Sequence, residues 1–325
     1  MNFPSLDEID AAAQAIHGRV RKTPVWQWPE EKLTSRFGLE AEIVVKLEML
    51  QYTGSFKPRA ALLNALQLDS DQLEKGITAV SAGNHAAAVA YAASQLGTTA
   101  KVVMPANADP YRINLCRSFG AEIVQVANVH VCFEEVERIQ AEEGRSFIHP
   151  FEGWQVVLGT GTLGSEFYRQ AGSLDVAIIP IGGGGLCSGM SCAIKQHNPD
   201  CYVIGVEPVG ADSMHRSFAS GRPESIEAVN TIADSLGAPY AAEYTLSVCM
   251  EFVDELVLVD DPALCTAMGT LFTDLKIAVE PAAAATTAAL AGPLRGRFDG
   301  KRIGLICCGA NISAGKFSRY LEQTN

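Results

Sequence analysis

The segment TGSFKPRAALLNAL (53–66) places Lys57 near the start of an expected helix. Ser55 is the expected N-cap, Phe56 opens the helix, and Pro58 falls in the first turn, where a missing N–H costs little. Leu62, Ala65 and Leu66 recur at helical spacing and give the helix one buried face. The positive end of a helix dipole disfavours a cation beside it, and partial burial pushes the same way, toward a neutral nucleophilic amine. A single such lysine is most often a solvated side chain at a helix end. Its neighbours must decide.

Two other loops supply complementary chemistry. The apolar run VAIIPI (176–181) leads into Gly182, Gly183, Gly184, Gly185 and Leu186, and then into a helix. Consecutive glycines let backbone N–H groups approach an anion closely, and the helix start adds its own donors, so this loop reads as a phosphate cradle. One or two glycines suffice for a plain strand–helix crossover. No lysine follows as a magnesium–nucleotide loop requires, and no acidic ribose partner follows on the schedule of a dinucleotide loop. The second loop, Ser81, Ala82, Gly83, Asn84 and His85, turns sharply into an alanine-rich helix with Asn84 placed as the N-cap. It can offer N–H groups, a hydroxyl and an amide to a carboxylate, although simple capping explains Asn84 equally well. A third loop, in LICCGANISAGKF (305–317), carries Cys307, Cys308, Asn311 and Ser313, and buried free cysteines ordinarily just pack.

A lysine amine condenses with carbonyl compounds. Pyridoxal phosphate needs a lysine for its aldehyde and a cradle for its phosphate, and an amino-acid substrate then needs a carboxylate site. The lysine segment, the phosphate cradle and the carboxylate loop form a coherent set.

The elements that must position them alternate. Apolar strand candidates at 41–48, 76–81, 100–105, 121–126, 176–181, 201–208, 255–259 and 302–309 are separated by helical segments such as NHAAAVAYAASQLG and PYRINLCRSFG, each closed by glycine. Continuous apolar strands between helices imply parallel sheets covered on both faces, a doubly wound α/β architecture. Residues 76–149 are expected to form a small inserted α/β domain of four strands, and residues 1–75 with 150–325 a larger one. Ligands in such folds bind beyond the carboxyl ends of the strands, where these loops lie.

Composition sets the surroundings. The 325 residues are 48% hydrophobic and 19% charged, as expected of a globular protein with a large core. A net charge of −12 argues against nucleic acid or an anionic membrane as partner, so an anionic ligand needs a local pocket of donors. The N-terminal segment MNFPSLDEIDAAAQAIHGRVRKTP reads as an amphipathic helix, acidic then basic, without the apolar core of a signal peptide. No apolar run has the length of a membrane span. Nine cysteines, odd in number and without a C-x-x-C pair, suggest neither a disulfide framework nor a zinc site, and fit a cytoplasmic protein with reduced thiols.

The pieces TGSFKPR, SAGNHAAAVAYAA, IPIGGGGLCSG, IGVEP, VEPAAAA and CCGANIS, in this order over nearly the whole chain, resemble the fold-type-II pyridoxal-phosphate enzymes of the serine/threonine dehydratase and serine racemase group. The resemblance implies two open parallel-sheet domains like those of the tryptophan synthase β chain, and a homodimer. It implies that Lys57 carries the cofactor, with Phe56 against the ring, Asn84 at the ring hydroxyl and Gly182 to Leu186 at the phosphate. Glu280 of VEPAAAA would be a further cofactor contact, and Cys308 would sit beside the pyridine nitrogen, with Cys307 as the alternative one residue away. Ser81 to His85 would hold the substrate.

The departures from the family pattern are also informative. Ala82 stands where serine racemases carry a second acid/base serine. In VEPVGADSM, Glu207 and Ala211 fit the family's cation site, but Ser213 replaces its second carboxylate, so activation by a monovalent or divalent cation is not expected with any firmness. Ala60 and Thr160 stand where the family usually has Gly and Gln, which leaves the substrate open. The chain ends shortly after CCGANIS, as in short catabolic dehydratases without an effector domain. The expected activity is that of an ammonia-lyase converting a β-hydroxy amino acid, such as L-threonine or L-serine, to a 2-oxo acid and ammonia. Hydroxyaspartate or another β-hydroxy substrate, or serine racemisation, are the alternatives on the same scaffold. A non-catalytic dinucleotide-binding protein is the alternative from another class.

Overall fold

A computed structural model describes residues 2–323, the side chains of 129 and 130 apart. The outer ends of the two expected domain segments, residue 1 and residues 324–325, lie outside this range. Among the described residues, ten strands form two sheets. They are β1 (Val25–Gln27), β2 (Glu42–Lys46), β3 (Ile77–Val80), β4 (Ala100–Pro105), β5 (Glu122–Val126), β6 (Ser146–Phe147), β7 (Val176–Pro180), β8 (Tyr202–Pro208), β9 (Glu255–Val259) and β10 (Arg302–Ile306).

The six-stranded sheet runs β1-β2-β10-β7-β8-β9 and is parallel except for the antiparallel edge pair β1–β2. The four-stranded sheet runs β5-β4-β3-β6 and is parallel throughout. Strands β7 and β3 are buried at every position, as expected of central strands with helices on both faces. Two strands outside the expected set, β1 and β6, have three and two residues, too few for any periodicity to register.

Each sheet has its own apolar core. The larger core surrounds Ile178, Val206, Leu305 and the buried helix Pro281–Ala291. The core beside the four-stranded sheet includes Ile77, Val102 and the alanine face of the helix Asn84–Leu96. That core also takes in Ala12 and Ile16 near the N-terminus and Ala61 to Leu63 of the helix Pro58–Ala65. The N-terminal helix itself covers Leu6–Ala15, and Ser5 and Glu8 close it with a reciprocal capping box.

The helix that follows Lys57 is anchored by charge. Arg59 is buried, with Nε 2.7 Å from Glu48 Oε1 and a terminal nitrogen 3.0 Å from Glu166 Oε2. Lys46, also fully buried, donates to Glu166, to Gln170 and to the Thr23 carbonyl. Removing one partner from such a buried ionic cluster typically costs about 3–5 kcal/mol, so the start of this helix is fixed by more than apolar packing.

Candidate active site

Loops at the carboxyl ends of strands from both sheets enclose a cavity of about 280 Å³. Lys57, Phe56, Gly182 to Leu186, Glu280 and Cys308 line it from the six-stranded sheet, and Ser81 to His85 line it from the four-stranded one. The residues expected from the sequence therefore converge on one space, although they are spread over more than two hundred positions of chain.

Lys57 occupies the N-cap position of the helix Pro58–Ala65 without a side-chain cap bond. This corrects the expected helix start. Ser55 is not the cap: its hydroxyl is buried with no partner, and its backbone bridges to Gly309 instead. Phe56 N–H donates to the Cys308 carbonyl at 3.1 Å, which ties the lysine segment to the end of β10. The Lys57 ammonium donates to the Pro150 carbonyl oxygen and lies 5.2 Å from the centroid of the Phe56 ring. Burial pushes the Lys57 amine down to about 8 although the nearby Cys308 and Glu280 favour its charged form.

Asn84 is also displaced from its expected role. Gly83 holds the N-cap position, Asn84 is the first helical residue, and its side chain is committed to a buried polar chain. Its amide nitrogen is 2.7 Å from Glu280 Oε1, and its amide oxygen accepts from Asn311 Nδ2 at 2.7 Å. Gly309 permits this contact, since a Cβ there would lie 3.0 Å from Glu280 Oε1 and 3.1 Å from Asn84 Nδ2. Glu280 is buried, its second oxygen has no hydrogen-bond partner but lies 3.8 Å from an Arg112 terminal nitrogen, and burial raises its carboxyl above the ordinary value. Ser81 Oγ accepts from Gly83 N–H at 3.1 Å and shapes the turn.

One ring nitrogen each of His85 and the nearby His149 is engaged. His85 Nε2 lies 2.8 Å from the Ile148 carbonyl, and burial pulls its pKa down to about 3. His149 Nδ1 accepts from the N–H groups of Phe151 and Glu152, at 3.3 and 2.9 Å, and burial holds its pKa near about 4. Both rings are neutral at ordinary pH.

In the glycine turn, Gly184 adopts the left-handed region with φ 87° and the helix Gly185–His197 begins directly after it. The N–H groups of that first turn have no intrahelical acceptors. A Cβ on Gly183 would fall 2.3 Å from the Phe151 ring, so this position tolerates no side chain without displacing that aromatic residue. Of the two neighbouring cysteines, Cys308 lines the cavity and Cys307 does not. Burial raises the Cys308 thiol well above its usual value, which keeps it protonated.

Several wall residues carry no local motif. Phe151 lies opposite the glycine turn, Arg112 comes from the helix Pro110–Ser118, and Asp234 to Pro239 come from the connection between β8 and β9. The alternation of histidine and aromatic residues in FIHPF (147–151) was the available signal for Phe151. Two positions singled out for substrate choice face elsewhere. Ala60 packs its backbone against Gly159, and Thr160 Oγ1 donates to the Gly185 carbonyl at 2.7 Å, behind the turn. Glu207 and Ala211 are buried, and the Glu207 oxygens accept from the N–H groups of Met214 and His215 at 2.9 and 2.6 Å. Among the described residues, no group of three His, Cys, Asp or Glu side chains forms a metal-binding cluster.

The donor set suits pyridoxal phosphate. A lysine amine poised near neutrality, a glycine turn running into a helix start, an amide and a buried carboxylate oxygen without a hydrogen-bond donor share one cavity. Comparison with known proteins agrees. The chain is 49% identical to the phenylserine dehydratase of Ralstonia pickettii over 98% of its own length and 97% of that protein's. It is 34% identical to the L-threo-3-hydroxyaspartate ammonia-lyase of Saccharomyces cerevisiae, over 99% and 98%. The structure of maize serine racemase superposes with a TM-score of 0.91 at 33% identity, covering 99% of this chain and 98% of that one. With residues 16–309 matching the profile described as "Pyridoxal-phosphate dependent enzyme", the chain belongs to that family, in its fold-type-II branch.

Proposed function

We propose that the protein is an ammonia-lyase that removes water from a β-hydroxy amino acid and releases a 2-oxo acid and ammonia. The observation that carries this reading is the Lys57 amine, partly buried in one cavity with a phosphate-type glycine turn and a carboxylate-type loop. Bound pyridoxal phosphate supplies the aldehyde that takes up an amine and the conjugated ring that accepts the electrons left at Cα.

The protein's own residues divide the remaining work. Gly182 to Leu186, with the helix start behind them, would hold the phosphate. Asn84, itself held by Glu280 and Asn311, would meet the ring hydroxyl. Phe56 would lie against the ring, and Cys308, a neutral thiol, would offer the ring nitrogen no acid strong enough to protonate it fully. Ser81 to Asn84 receive the substrate carboxylate, and His85 supports that loop as a neutral ring. Lys57 Nζ, with its pKa depressed toward neutrality by burial, is suited as a free amine to remove the α-proton. The β-hydroxyl leaves with a proton as water, and hydrolysis then gives the 2-oxo acid and ammonia.

The cavity wall is partly apolar, with Phe151 and Leu236 packed against Gly183 and Gly182 of the glycine turn. Phe151, Leu236 and Pro239 line it, and Tyr240 packs behind Phe151 with ring centroids 5.4 Å apart. This agrees with the name of the 49% identical relative, so phenylserine is the substrate we place first. A panel of serine, threonine, 3-hydroxyaspartate and phenylserine, read by 2-oxo-acid formation, tests the reading. Phenylpyruvate at the highest kcat/KM is expected. No 2-oxo acid from any member would overturn it.

We further read residues 76–149 as a small domain inserted in a larger one. Support comes from the separate sheets, while the helix Pro58–Ala65 packs into the core beside the smaller sheet. The nine unpaired cysteines support a reducing, cytoplasmic setting. No described helix is long and apolar enough to cross a membrane. A homodimer is our reading from the family resemblance, and sedimentation equilibrium tests it.

A further inference from the structure

Two cationic side chains line the cavity, Lys57 and Arg112. Lys57 is reserved for the chemistry. Arg112 is the natural receptor for a second carboxylate on a substrate, since a guanidinium offers a planar fork of donors. That fork is already occupied. Its two terminal nitrogens lie 2.9 and 3.0 Å from the two oxygens of Asp234, a bidentate pair, and Nε donates to the Asn311 carbonyl at 3.0 Å. Glu280 Oε2 stands 3.8 Å away on another side.

We infer that Asp234 is a specificity determinant that occupies Arg112 and so excludes substrates bearing a β-carboxylate, such as 3-hydroxyaspartate. The inference rests on the ammonia-lyase reading above and names a class of substrate that this site rejects. Three features carry it. Arg112 is one-tenth exposed, whereas the Asp234 side chain is 42% exposed, so the aspartate occupies the solvent side of the pair where an incoming carboxylate would have to bind. Asp234 is itself held in place, because Lys316 Nζ lies 3.3 Å from the same oxygen that Arg112 contacts. Burial favours the neutral form of Asp234, yet the guanidinium keeps its carboxyl below the ordinary value, so it stays charged and continues to compete. A dicarboxylate entering the cavity meets an anion at the mouth, and the Arg112 fork behind it is already taken. Exclusion by a like charge costs more than the mere absence of a contact.

The test uses the holoenzyme with threo-3-hydroxyaspartate and phenylserine. Asp234→Asn keeps the size of the side chain and removes its charge. The ratio of kcat/KM for hydroxyaspartate over phenylserine is expected to rise about tenfold or more, with the gain in KM rather than in kcat, as the loss of one opposing charge beside a guanidinium implies. Adding Arg112→Gln to that variant should abolish the gain. Asp234→Ser gives the same comparison should the asparagine variant misfold, and succinate binding by calorimetry provides a readout independent of turnover. An unchanged ratio in both single variants overturns the inference. So does a gain that survives the loss of Arg112. A parent enzyme that turns over no β-hydroxy amino acid would instead overturn the ammonia-lyase reading, while succinate binding still decides the role of Asp234.

Discussion

The amide nitrogen of Asn84 lies 2.7 Å from Glu280 Oε1, joining the first residue of a helix beside the four-stranded sheet to the residue that precedes a helix of the six-stranded sheet. The bond closes a separation of 196 residues. It also sets the cavity, because both residues line it and both are buried.

Asn84→Ala should therefore destabilise the fold as well as weaken cofactor binding. Glu280 Oε1 would lose its hydrogen-bond donor while Oε2 already has only a 3.8 Å ion pair to Arg112, and an unsatisfied buried acceptor costs about 1–3 kcal/mol. Chemical denaturation of the variant beside the parent measures this. Equal stability would mean that the pair adds nothing to holding the two sheets together.

Gly183→Asp should lower cofactor affinity by about a hundredfold or more, since several favourable N–H contacts to phosphate give way to a like charge. The structure adds a second reason, because a Cβ there would lie 2.3 Å from the Phe151 ring. Equilibrium dialysis of pyridoxal phosphate against a folded variant is the check. Unchanged affinity would remove the glycine turn from the phosphate site.

How much of this site was legible in the sequence differs from residue to residue. Lys57, the four glycines and the Ser81–His85 loop are visible because each sits in a short motif at the end of an apolar strand, where α/β folds bind ligands. Arg112 and Asp234 are not visible, because a helix and an irregular connection bring them together across 122 residues. Capping was misassigned at Ser55 and at Asn84 for one reason. Tertiary partners, Gly309 for the first and Glu280 for the second, outcompeted the local side-chain cap that propensity favours. The buried charges of Arg59, Glu48, Glu166 and Lys46 give no sequence signal, since a charged residue reads as surface until its partners are known.

Stability should fall as pH rises from about 4.5 toward about 8, in part through Glu207. Burial raises its carboxyl from 4.5 to about 8 despite its two backbone N–H partners. The folded state thus keeps a proton that the unfolded chain has lost within that window, so ionisation there favours unfolding. Glu207→Gln removes this titration. Its stability relative to the parent should improve steadily from about pH 5 to about pH 8, whatever constant offset the amide introduces. Parallel denaturation curves at several pH values measure the slope, and a pH-independent difference would contradict the assignment.

Ala82→Ser introduces a hydroxyl into the cavity wall within the carboxylate loop, at the position where the serine racemase group carries its second acid/base. Dehydration should fall modestly and D-serine formation from L-serine should rise from a low baseline, read by chiral chromatography. Efficient racemisation by the parent would mean that another residue already acts as the second base.

The central claim is that Lys57 both carries the cofactor and moves the α-proton, and borohydride reduction of the holoenzyme followed by peptide mass spectrometry tests it most directly. The account predicts one phosphopyridoxyl adduct, on Lys57, with Lys57→Ala forming no adduct and losing turnover by about 10³-fold or more, as expected when nucleophile and base are removed together. An adduct on any other lysine, or a Lys57→Ala variant that still forms a reducible adduct at full occupancy and turns over substrate, would contradict it.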